Sequence, residues 1–115
     1  MKRDYIEYLN DILISIDEIA EFIKGFTYER FFSDKKTTNA VIRSLEVMGE
    51  AAKKIPDSIR LKSSKIPWKR IAGMRDKLTH EYFGIDMEIV WKVSTEEIPP
   101  LKKYVLKLIK EIENQ

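Results

Sequence analysis

Apolar side chains recur at intervals of three and four residues along most of the chain. In the first segment, from about Arg3 to Lys24, the repeating positions include Tyr5, Leu9, Ile12, Ile16 and Ile19. This spacing predicts a long amphipathic helix, because positions three and four apart share one helix face. Acidic residues occupy the opposite face, and Gly25 is where we expect the helix to end.

The same spacing predicts four further helices. We expect them over about Thr38–Ile55, Pro67–Phe83, Asp86–Glu97 and Leu101–Ile112. Asp34, Thr37 or Thr38 can cap the second helix, and Asp86 can cap the fourth. Residues 26–38 read as an aromatic-rich connection that folds back on the core, and residues 57–66 as a basic loop or short helix. No segment alternates with period two for long enough to be a strand. The sequence therefore predicts one domain over residues 1–115, an all-α bundle of four to five helices.

The residues best suited to chemistry lie between Gly73 and Gly84, a stretch that contains the only histidine, His80. On a helix, Asp76 and His80 share one face, and Arg75 and Tyr82 share another. Arg75 and His80 are five apart and point partly away from each other. They can act on one substrate if the arginine stem extends, if the helix end unwinds, or if two copies of the stretch face each other.

Charge is unevenly distributed. The whole chain has a net charge of +2, but residues 53–77 contain nine Lys or Arg and two Asp, which gives +7 there and −5 elsewhere. Such a field suits a polyanion, above all nucleic acid, although a solvated basic surface explains the charge equally well. No apolar run approaches membrane-spanning length, and we expect a cytoplasmic protein without a membrane partner.

The amino-acid composition limits which kinds of catalytic site the chain can form. With one histidine and no cysteine, a metal site would need several carboxylates, and no acidic cluster flanks the stretch. The four glycines are too scattered for a glycine-rich nucleotide loop, so we expect no cofactor. Metal-free acid–base chemistry remains, with Arg75 binding a phosphate and His80 moving a proton at a ribose hydroxyl. A surface histidine at a helix end is the plainer interpretation, and spacing alone does not decide.

The string Arg75-x4-His80-x-Tyr82 resembles the signature of the HEPN superfamily, specifically the HepT-like ribonuclease toxins. Asp76 fits the polar residue that usually follows the arginine. The resemblance extends to residues 41–54, which look like the family's second helix, and to residues 66–75 and 84–91 on either side of the motif.

The resemblance implies a homodimer whose composite cleft contains Arg75 and His80 from both copies, with Asp76 in support. It implies RNA cleavage without metal, with a target such as tRNA or mRNA. It also implies a toxin–antitoxin pair, in which a minimal nucleotidyltransferase antitoxin of the MntA type transfers AMP to Tyr82.

Two other interpretations stay open. The chain could be a non-catalytic module that docks a nucleotidyltransferase and presents nucleotide or RNA to it, or a purely structural helical dimer. A neighbouring reading frame for a small nucleotidyltransferase would favour the toxin and the docking module over the structural dimer. Growth arrest on expression without that partner would distinguish the toxin from the module.

Overall fold

The computed structural model describes residues 2–80 and 85–114, and for residues 2, 3, 75, 79 and 80 it describes the backbone only. Its helices are α1 (Lys2–Ile23), α2 (Tyr28–Ser33), α3 (Lys35–Lys53), α4 (Asp57–Arg60), α5 (Trp68–His80), α6 (Met87–Lys92) and α7 (Leu101–Glu113), with a π-helical segment over Val93–Glu97. No strand occurs within these described ranges. The all-α prediction is confirmed.

The core forms where α3 packs against both α1 and α5, while α1 also packs against α7. Of the repeating apolar positions of α1, Leu9, Ile12, Ile16 and Ile19 are buried and Tyr5 is half-buried, and α3 buries Val41, Leu45 and Met48. On α7 the apolar stripe is likewise buried, and Lys102 at its start pairs with Asp17 of α1 at 2.9 Å. The spacing of apolar residues therefore identified the faces that meet.

Local signals set several of the helix ends. Gly25 adopts a φ of +77°, a left-handed conformation that glycine takes without steric strain, two residues after α1 ends. The Asp34 side chain accepts the Thr37 backbone N–H at 3.1 Å and so caps α3, and Asp86 caps α6 by accepting the Glu88 N–H at 2.9 Å.

The segment predicted as an aromatic connection contains a helix, α2. The Thr27 hydroxyl caps it by accepting the Arg30 N–H at 3.2 Å. Phe31 is fully buried, and its ring centroid lies 5.1 Å from that of Trp91 in α6. The predicted connection thus contains a helix that its sequence pattern did not indicate, and its folding back onto the core is confirmed.

The predicted fourth helix extends to Glu97, but its second half is wider than an α-helix. There the Ile98 N–H donates to the carbonyl of Val93, five residues back, at 2.9 Å. Pro99 and Pro100 then separate this helix from α7. The expected end of the third helix, at Phe83 and Gly84, lies outside the described residues.

No helix in the described ranges combines the length and apolarity that crossing a membrane requires.

Candidate functional site

The helix that carries the candidate motif is held by its apolar face. Ile71 and Leu78 of α5 are each 4% exposed, and Met74 packs against the core beside them. The backbone of Arg75, Asp76 and His80 belongs to this helix. Five residues of α-helix advance about 7.5 Å along the helix axis and turn through about 140°. Within one copy of α5, the Arg75 and His80 positions therefore lie at different levels along the axis and on different faces. Tyr82 lies outside the described residues.

The start of α5 is anchored by Trp68. Its ring is 7% exposed, and its indole N–H donates to the carbonyls of Arg60 and Ser63 at 3.2 and 3.1 Å. The Arg60 guanidinium in turn donates to the carbonyls of Ala52 and Ile55, at 2.7 and 2.9 Å, at the end of α3. The Ala52, Arg60 and Ser63 carbonyls also accept backbone N–H groups, so these side-chain bonds add to that bonding and join the end of α3 to the segment before α5. The path Trp68–Arg60–α3 therefore fixes where α5 begins.

Asp76, the predicted supporting residue, forms an ion pair and hydrogen bond with Lys53 at the end of α3. Their side chains are 47% and 39% exposed, so water screens the pair. The two residues are 23 positions apart, and nothing in the local pattern predicts their contact. Asp76 therefore links the motif helix to α3.

The described cations of residues 53–77 fall into two groups, those that contact an acid or an aromatic ring and those that point into solvent. Some cations are engaged: Lys53 with Asp76, Lys54 over the Tyr8 ring at 5.4 Å, and Arg70 with Glu97 at 2.7 Å. The exposed lysines at 62, 65, 69 and 77 form no ion pair with any residue that the structure describes. These four lysines therefore present positive charge to solvent that no described acid offsets by an ion pair.

A small apolar cavity of about 50 Å³ lies between α5 and α6. Its lining includes Met74 and Leu78 from α5, and Ile89 and Val90 from α6. Ile89 is 49% exposed although it borders this cavity. An exposed apolar side chain therefore lies next to the motif helix.

A larger pocket, of about 350 Å³, lies near the start of α5, between the loop after α4 and one face of α7. Lysines from both elements line it, namely Lys62, Lys65, Lys103 and Lys107. Sequence reasoning identified the first two as part of the basic segment and missed the two on α7. The spacing of four between Lys103 and Lys107, which puts them on one helix face, was the available signal.

The acidity of Tyr28 clearly departs from its ordinary range. Burial of its phenol, together with the carboxylates of Glu88, Asp86 and Glu29, raises the pKa of Tyr28 above its ordinary value of 10.0. Each cause disfavours the phenolate, which would be desolvated among negative charges. The phenol of Tyr28 is therefore neutral near neutral pH. Its ring packs near Trp91, with 6.4 Å between the two ring centroids.

No group of three or more His, Cys, Asp or Glu side chains that could hold a metal ion occurs among the described residues. The side chain of His80 is outside that description.

Comparison with known proteins gives a consistent result. Residues 12–108 match the family model described as ribonuclease HepT-like. Over 114 residues the chain is 51% identical to the protein named "Putative RNase MJ1216" of Methanocaldococcus jannaschii, covering 99% of this chain and 94% of that protein. It is 48% identical over 110 residues to "Probable ribonuclease HepT" of Thermococcus cleftensis, covering 96% of this chain and all of that one. No solved structure matches the chain. The chain therefore belongs to the HepT-like ribonuclease family.

Proposed function

We propose that this protein is a metal-independent endoribonuclease that acts as the toxin of a toxin–antitoxin pair. The observation that carries the proposal is the family match over residues 12–108, which contains the complete Arg75-x4-His80-x-Tyr82 motif. The relatives named as ribonucleases support the same class of activity.

The chemistry follows from the two side chains. His80 takes the proton of a ribose 2′-hydroxyl, and the 2′-oxygen attacks the adjacent phosphorus. The bond from phosphorus to the 5′-oxygen breaks, and that oxygen takes up a proton. Arg75 binds the phosphate and stabilises the charge that builds up on it during attack. The products are a 2′,3′-cyclic phosphate and a 5′-hydroxyl.

We propose further that the site is completed by a second copy of the chain. One imidazole cannot remove a proton from the 2′-oxygen and deliver one to the 5′-oxygen in the same step. His80 of a second copy supplies the second proton carrier. The angular separation of the Arg75 and His80 positions on α5 supports this arrangement, and so does the exposed Ile89 beside that helix. Light scattering should give twice the chain mass at micromolar concentration, and a monomer would contradict the composite site.

The activity test compares three variants on a fluorescent oligoribonucleotide in the presence of chelator. His80→Ala should lower kcat by about 10²–10⁴-fold and Arg75→Ala by about 10²–10³-fold. Lys69→Ala is the matched control, since Lys69 is an exposed cation on the same helix outside the motif. Wild-type cleavage that needs added metal, or that survives His80→Ala, would overturn the mechanism.

For control of the toxin we propose that a partner nucleotidyltransferase modifies Tyr82. The phenolic oxygen attacks the α-phosphorus of ATP, the bond to the β-phosphate oxygen breaks, and pyrophosphate leaves. The phosphodiester adds negative charge and an adenosine near the Arg75 position, where it competes with an RNA phosphate.

Co-expression with the neighbouring nucleotidyltransferase tests this control. The intact mass should increase by one or more AMP units in the wild type and not in Tyr82→Phe. A Tyr82→Phe protein that the partner's catalytic activity still neutralises would show that control acts through another residue.

A further inference from the structure

The pocket near the start of α5 brings together cations that are far apart in sequence. Lys62 and Lys65 come from the loop after α4, and Lys103 and Lys107 from successive turns of α7. All four side chains are exposed, and none forms an ion pair with a residue that the structure describes. Glu111 is the one acid among the residues that line the pocket. The lining of this cavity of about 350 Å³ therefore contains four lysines and one acid, and this excess of positive charge attracts phosphate groups.

An aromatic ring and hydroxyl groups accompany these lysines. Tyr104 is half-buried in the pocket wall, and the Lys103 ammonium lies 5.1 Å from the centroid of its ring. Ser63 and Ser64 add hydroxyls on the opposite wall. Lysines for the backbone and an aromatic ring for a base are the two components of surfaces that bind single-stranded nucleic acid.

The loop that supplies Lys62 and Lys65 is held in place by the fold. The Ser63 carbonyl accepts the Trp68 indole N–H at 3.1 Å and the Ile66 backbone N–H at 3.3 Å. The Ser63 N–H donates to the Arg60 carbonyl at 3.1 Å. Because this backbone is fixed, the loop lies opposite α7 before any ligand arrives, and binding need not pay to order the loop backbone.

We propose that this lysine pocket is a second RNA-binding site, which holds single-stranded RNA by its phosphates and stacks a base on Tyr104. The inference rests on the proposed ribonuclease function, because it assigns the pocket to the same substrate. The loop that lines the pocket precedes the start of α5, whereas His80 ends that helix about 18 Å further along its axis. The pocket therefore binds a part of the strand several nucleotides away from the bond that is cut.

Fluorescence anisotropy with a labelled 2′-O-methylated oligoribonucleotide tests the site, since that probe lacks the hydroxyl needed for cleavage. Lys103→Gln/Lys107→Gln removes two cations from α7, and Lys62→Gln/Lys65→Gln removes two from the loop. Each pair should weaken binding by about 25-fold at 0.1 M salt, since one phosphate contact to a single strand contributes about fivefold there. The slope of log affinity against log salt should fall by about 1.4.

The matched control is Lys36→Gln/Lys110→Gln, which removes the same charge from two exposed lysines outside the pocket. It should change affinity less than twofold, and Lys103→Arg/Lys107→Arg should retain wild-type affinity. All substituted residues are exposed, and an unchanged thermal midpoint verifies the fold of each variant. If the pocket pairs bind the probe as well as the control pair does, the inference is overturned.

The outcome is independent of cleavage. Loss of binding in the pocket variants supports the site even if His80→Ala leaves cleavage intact and the proposed mechanism fails. Conversely, normal cleavage with unaltered probe binding in the pocket variants overturns the site and leaves the proposed function standing.

Discussion

Substitution of Trp68 by Phe should measure how strongly the start of α5 is anchored. The change removes the indole N–H that donates to the carbonyls of Arg60 and Ser63 and shortens a side chain that is 7% exposed. The lost hydrogen bonding costs about 1 kcal/mol, since this one donor served both acceptors. The cavity left by the smaller ring costs about 1 kcal/mol more. We expect the free energy of unfolding to fall by about 2 kcal/mol, a large share of the 5–15 kcal/mol typical of a single domain.

The chain offers a matched control in its other tryptophan, Trp91. Its ring packs against Phe31 and Tyr28, and its indole donates no hydrogen bond to any described residue. Trp91→Phe therefore loses ring contacts alone and should cost about 1 kcal/mol or less. Urea unfolding followed by far-ultraviolet circular dichroism measures both values, with a common slope as the test of two-state behaviour. Equal destabilisation by the two substitutions would refute the anchoring role of the Trp68 hydrogen bonds.

Two further predictions concern electrostatics. The raised pKa of Tyr28 means that the folded protein favours the neutral phenol, so its contribution to stability is fully present below the ordinary pKa of 10.0 and is lost as pH rises through the folded value. Tyr28→Phe should therefore unfold less readily than wild type as pH rises above 10, and identical pH profiles in urea melts would contradict this. For Lys53 and Asp76, a double-mutant cycle with Lys53→Met and Asp76→Asn should give a coupling of about 0.5 kcal/mol that disappears in molar salt, because both side chains are exposed. A salt-independent coupling above about 2 kcal/mol would contradict that estimate.

The long helices could be predicted because their signals are local. The recurrence of Leu9, Ile12 and Ile16 at three and four residues marks the buried face of α1, and the buried side chains confirm it. Asp34 and Asp86 likewise indicate the starts of α3 and α6, because a capping side chain binds backbone N–H groups only two or three residues away. The six residues of α2 are too few to show a helical period, which is why that helix was missed.

In the candidate site, too, the features set by local sequence were predictable and the long-range contacts were not. Arg75, His80 and Tyr82 were identified as a motif from spacing and resemblance, and their roles stay predictions. That α5 carries the first two of them on its backbone was predictable from the apolar positions Ile71 and Leu78. The contact of Asp76 with Lys53 was not, because a helix pattern states which face turns inward and not which residue lies opposite.

The sequence by itself determined the all-α class, the buried faces of the long helices and the location of the motif on α5. These depend on interactions within a few residues along the chain, where backbone geometry relates position to direction. Only the tertiary structure decided that Asp76 meets Lys53, and that Lys62 and Lys65 face two lysines of α7. Such contacts join distant segments, and they form only after the apolar faces have packed, because that burial supplies the free energy that brings the segments together.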